Sequence, residues 1–113
     1  MTLIDRNNIQ RISPWNPNTE PSDADLEANL PFTTKQEYLD WRAEWRAMYK
    51  DLSQEIRATR KLWRAEGQDH APILTNALLS NRALARTMLA LRRASKAKAE
   101  RLYQEGRAKA EVA

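Results

Sequence analysis

The sequence predicts an all-α chain: a long antiparallel two-helix hairpin of coiled-coil type behind an irregular N-terminal arm that carries one short helix. Three observations make that prediction. From residue 34 onward the large apolar residues recur at helical spacing instead of alternating. The 113 residues hold only two glycines, and four of the five prolines fall within the first 31, so the helix breakers are concentrated in the arm. Only Gln68 to Ala71 separates the two periodic stretches, and a connection that short joins neighbours running in opposite directions. The chain divides into an arm, 1–33, and a hairpin, 34–113, with a length that allows one small core.

The arm contains SPWNPNTEP over 13–21, which cannot be helical because its prolines remove donors and clash with the preceding turn. Ser22 and Asp25 have the spacing of a capping box for a short helix over 23–29. Ile4, Ile9, Ile12, Trp15, Leu26, Leu30 and Phe32 are too many apolar residues for a purely disordered tail. Two readings of the arm stand side by side. It folds back across the helices, or Trp15, framed by two prolines, anchors a partner.

The first long helix is expected over about 34–66. Thr34 and Glu37 form a capping box, Pro31-Phe32 precede it, and Gly67 is the residue expected to end it. Tyr38, Trp41, Trp45, Met48, Tyr49, Leu52, Ile56, Thr59 and Trp63 share one face. The second helix is expected to open at Pro72, which suits a first turn, and to run to about 110. Ile73, Leu74, Ala77, Leu78, Leu84, Ala85, Met88, Leu89, Leu91, Ala99, Leu102 and Tyr103 make its broad apolar face. At about 1.5 Å per residue the two helices are roughly 50 Å and roughly 58 Å long.

Charge is sorted along the chain and around the first helix. Net charge runs from −3 over 1–33 through +2 over 34–66 to +5 over 67–113, for a total of +4. On the first helix Glu37, Asp40, Glu44, Asp51 and Glu55 flank the apolar face on one side, and the basic residues flank it on the other. Closing the hairpin near residue 69 brings Glu55 near Arg82, Asp51 near Arg86, Glu44 near Arg92 and Arg93, Asp40 near Lys98, and Glu37 near Arg101. The same register sets Asn81 opposite Thr59, either as a buried register-fixing hydrogen bond or as a wet edge of the stripe.

The basic flank finds no such complement. Within 35–64 no opposite charges stand at i,i+3 or i,i+4, whereas Arg42, Arg46 and Lys50, Arg57 and Lys61, and Arg60 and Arg64 stack like charges. The row from Arg42 to Arg64 is therefore a bare ridge roughly 33 Å long. The candidate contact residues are Arg42, Arg46, Lys50, Arg57, Arg60 and Arg64, with Arg82, Arg86 and Arg93 as a second row and Trp15 as a docking anchor. The tail differs: Lys96–Glu100, Arg101–Glu105, Glu105–Lys109 and Arg107–Glu111 are ordinary i,i+4 pairs.

No catalytic, cofactor or metal site is expected. There is no cysteine, and the one histidine, His70, lies in the expected interhelical loop. No glycine-rich phosphate loop, nucleophile–base pair or metal-ligand spacing is present, so the chain reads as a non-enzyme. No apolar run approaches a membrane span, which leads to an expected cytoplasmic location, host cytoplasm or virion included. The Trp and Tyr stripe could stack bases, but opposite a second apolar helix it reads as core.

The segment EYLDWRAEWRAMYKDLSQEIR, Glu37 to Arg57, resembles helical segments in small accessory proteins of tailed phages and prophages, over about a fifth of the chain. The resemblance implies a viral or mobile-element source and a binding role in infection or particle assembly. Three functions then compete. The chain is an adaptor or inhibitor that docks on a host or virion protein or nucleoprotein through the ridge, or it binds DNA or RNA directly without reading sequence. The third is a particle subunit. Pairing of two hairpins through the seam would make a homo-oligomer.

Overall fold

The computed structural model describes residues 3–12, 20–65 and 72–112. Trp15, Gly67, His70 and the connection between the long helices lie outside the described residues. Four helices follow one another: α1 (Arg6–Ile12), α2 (Asp23–Ala28), α3 (Lys35–Ala65) and α4 (Pro72–Val112). The long helices α3 and α4 lie against each other as an antiparallel hairpin, and the molecule is elongated, 67 × 24 × 19 Å.

Local chemistry sets the starts of these helices. The Ser22 hydroxyl accepts from the Asp25 N–H at 3.2 Å and donates to the Asp25 carboxylate at 2.8 Å, which opens α2. Thr34 does the same for α3: its hydroxyl accepts the Glu37 N–H at 3.2 Å and donates to the Glu37 carboxylate at 3.1 Å. Pro72 is the first residue of α4, where a missing N–H costs nothing. The arm also carries a second helix, α1, beyond the one expected. The Asp5 carboxylate caps it, accepting from Asn7 and Asn8 N–H at 2.9 and 3.4 Å. Seven residues cannot hold a helix alone. What holds α1 is Ile9, buried to 1% exposure in the main core.

The described part of the arm folds back across the hairpin. Ile4, Ile9, Leu30 and Phe32 share one core with Trp41, Trp45 and Leu52 of α3 and Leu84, Met88 and Leu91 of α4. Phe32 meets the Tyr38 ring edge-on at 5.1 Å and the Trp41 ring at 5.7 Å, and the Trp41 indole donates to the Asn29 carbonyl at 3.3 Å. Across the helical seam the Trp45 indole donates to the Met88 carbonyl at 2.8 Å, and Trp63 to the Thr75 hydroxyl at 3.1 Å. The buried hydroxyls of Thr87 and Ser95 turn back onto their own helix, donating to the Ala83 and Arg92 carbonyls.

The expected pairing of charges between the two long helices is corrected. None of the pairs Glu55–Arg82, Asp51–Arg86, Glu44–Arg92 or Arg93, Asp40–Lys98 and Glu37–Arg101 forms an ion pair. The arm takes Glu44, Glu55, Arg86, Lys98 and Arg101 instead. Both oxygens of Glu44 accept the Leu3 N–H at 2.9 Å, and Glu55 is gripped by two guanidinium nitrogens of Arg6 at 2.6 and 2.9 Å. On the other side Arg86 faces Glu20 and Arg101 faces Glu27, each at 3.8 Å, while Lys98 donates to the Leu30 carbonyl and sits 4.9 Å from the Phe32 ring centre. Arg92 donates to the Tyr38 hydroxyl at 3.0 Å. Asn81 and Thr59 are both half-buried, and no hydrogen bond joins them.

Phe32 belongs to the arm, has no exposed surface and touches two rings of α3. Phe32→Ala should therefore cost about 3–5 kcal/mol in urea unfolding of the full chain. Leu39→Ala, on the surface, should stay within about 0.5 kcal/mol of the parent.

Candidate functional site

Helix α3 has three sides, and each meets something different. Its apolar stripe faces α4, and two of its acidic residues, Glu44 and Glu55, are engaged by the arm. The third side carries Arg42, Arg46, Lys50, Arg57, Arg60 and Arg64. Arg42 and Arg60 are half-buried and the other four exposed, and among the described residues none of the six makes an ion pair or a side-chain hydrogen bond. The unpaired ridge expected from the sequence is thus present on a single face. The like-charged pairs along it are tolerated because the four exposed heads, Arg46, Lys50, Arg57 and Arg64, reach into solvent.

The second row does not stay together. Arg82 lies with Arg60 and Arg64 around a cavity of about 350 Å³ at the closed end of the hairpin, also lined by Trp63, Thr75, Leu78 and Leu79. Arg86 turns to the arm and its Glu20. Arg93 lines a groove on that same side with Glu20 and Asp23. Arg86 and Arg93 therefore belong to the arm side of α4, where acid is at hand. Trp15 lies outside the described residues.

A feature that charge spacing alone does not reveal continues the ridge at its other end. Lys35, Tyr38, Leu39, Leu102 and Tyr103 line a mostly apolar groove of about 360 Å³ with Thr33, Thr34 and Ala99. Leu39 is 39% exposed and Tyr103 61%, so two large apolar side chains stand open beside the basic row. The signal for it is the position of Leu39 on the basic face, one turn before Arg42 and two before Arg46.

Among the described residues no group of three or more histidine, aspartate or glutamate side chains could hold a metal ion. No helix among them is long and apolar enough to cross a membrane. No known protein family, curated protein or solved structure matches the chain.

One ion pair shifts its members detectably. The hydrogen bond from Arg6 holds the Glu55 carboxyl below its ordinary value, against a smaller opposing effect of burial. The same bond raises Arg6, which stays charged at any working pH. A lowered carboxylate adds stability above its unfolded pKa, and that stability is lost as the pH falls through the folded value. Both partners are substantially exposed, so the pair is worth about 0–1 kcal/mol. Urea unfolding of the parent and of Glu55→Gln should differ by that amount at pH 7, and the difference should vanish as the pH falls through the lowered folded value of the carboxylate.

Proposed function

We propose that this chain is a non-enzymatic binding protein, an accessory adaptor or inhibitor of the phage kind, that docks through the bare ridge of α3 on an acidic protein surface. The contrast between the two flanks of α3 carries this reading. The arm engages Glu44 and Glu55 on one flank, and on α4 it engages Arg86, Lys98 and Arg101. Arg42, Arg46, Lys50 and Arg57 on the opposite flank have no partner among the described residues, although the arm carries acids that could have reached a basic face had it folded the other way. A row of uncompensated cations steers and orients an anionic partner.

The groove beside the ridge favours a protein over a nucleic acid. A phosphodiester backbone offers charge and nothing for Leu39 and Tyr103 to bury against, whereas a protein surface offers an apolar anchor within an acidic rim. Of the rings that could stack on bases, Trp41 and Trp45 are buried, the Trp45 and Tyr49 rings stack on each other at 4.9 Å, and Tyr103 stands open.

The test is capture from the native source after nuclease treatment, with the parent, the double variant Arg42→Glu/Arg46→Glu, and Leu39→Ala. The reading expects a nuclease-resistant protein partner whose affinity falls at least about tenfold with the charge reversal and measurably with Leu39→Ala. Association that disappears with nuclease, or that ignores both substitutions, overturns it.

A further inference from the structure

The closed end of the hairpin holds a second, smaller feature with its own chemistry. Arg60 and Arg64 of α3 and Arg82 of α4 converge on one cavity of about 350 Å³ whose remaining lining is Trp63, Thr75, Leu78 and Leu79. Among the described residues no carboxylate lines it. Arg60 and Arg64 stand one turn apart and repel each other, and Arg82 adds a third cation from the facing helix. Three guanidinium groups around one space repel one another, and an anion between them would relieve that repulsion. Arg60 has a further requirement: its Nε–H is sealed from solvent and finds no acceptor. Buried donors are almost always paired, and an unpaired one costs free energy, which a rotation of the Arg60 side chain toward an anion in the cavity would relieve.

The composition of the cavity defines what would fit. Guanidinium groups present paired N–H donors that match the oxygens of a phosphate. Three positive charges balance the dianion of a phosphate monoester far better than a single carboxylate. The space is also larger than a phosphate needs, and lies at the lower end of the range of sites that hold small organic molecules, about 300–1,000 Å³. Leu78, Leu79 and the Trp63 ring supply an apolar wall for the remainder.

We propose that this cavity is a binding site for a small organic phosphate, the phosphate held by Arg60, Arg64 and Arg82 and a ring-sized body lying against Leu78, Leu79 and Trp63. The site shares Arg60 and Arg64 with the end of the ridge but differs from the docking role in its ligand and in its other walls. Its ligand is a small molecule, and the purified chain alone is enough to test it, so either reading can fail without the other.

The experiment is calorimetric titration of the full chain with phenyl phosphate and with inorganic phosphate, repeated on Arg82→Met and on Arg42→Met/Arg46→Met. Phenyl phosphate should bind saturably at one site, roughly tenfold tighter than inorganic phosphate. Arg82→Met, an exposed position that leaves the core untouched, should weaken it at least about tenfold, and the ridge variant should leave it unchanged. Absence of saturable binding, equal affinity for the two anions, or equal loss in both variants overturns the proposal. Arg60→Met supplies a second readout: with the stranded donor removed, the thermal midpoint of the ligand-free chain should hold or rise, and phenyl phosphate should no longer raise it. A phenyl phosphate shift that persists in that variant also counts against the site.

Discussion

Two helices in contact touch along a line, and a line is too narrow to dry an aromatic stripe as wide as that of α3. The structure depends on how the arm resolves this constraint. Ile4, Ile9, Leu30 and Phe32 enter the core beside Trp41 and Leu52, so that a two-helix seam becomes a three-layered interior. Polar chemistry follows from that placement. Once the arm lies along the acidic flank of α3, Glu44 and Glu55 meet the Leu3 N–H and the Arg6 guanidinium before they can meet α4. Leu30, with its carbonyl turned out, takes Lys98. Each exposed pair stabilises little, but together they fix the side on which the arm lies.

That choice of side also shapes the outer surface. An arm on the acidic flank leaves the basic flank in solvent, and the arm's own acids, Glu20 and Glu27, draw Arg86 and Arg101 toward it. Among the described residues, one set of cations is thus held in pairs with the arm and another stands open along α3 and at the closed end of the hairpin. The open population is bounded at one end by an apolar groove and at the other by a cavity with mixed walls. An unbroken basic stripe would suit any polyanion. A stripe with two different ends discriminates.

The parts of this arrangement that could be read from the sequence are those set by near neighbours. The capping boxes at Ser22 and Thr34 need only four residues to act, and Pro72 needs only itself, so α2, α3 and α4 begin where expected. Trp41, Trp45 and Leu52 are buried because their spacing alone puts them on one face. The misses come from distance along the chain. Glu55 had two takers, Arg82 by helical register and Arg6 by the path of the arm, and register cannot see a partner 49 residues away. Helix α1 was missed because its asparagine-rich sequence is a weak helix former, and only the burial of Ile9 decides in its favour. Of the site, the single-face ridge was legible from like charges at i,i+4. The convergence of Arg82 on Arg60 was not, since it depends on how the helices are rotated about each other.

The contacts of the arm have a consequence for the order in which the molecule is made. Leu3 reaches Glu44, Arg6 reaches Glu55, and Leu30 waits for Lys98, separations of 41, 49 and 68 residues. The arm leaves the ribosome before any of these partners exists, and a helix as short as α1 has no independent means of persisting in the meantime. The hairpin, by contrast, closes through a short connection. Its long helices can zip together as soon as both have emerged, at little cost in loop entropy. Synthesis and folding therefore run in opposite directions: the segment translated ahead of the hairpin is the one that docks after it.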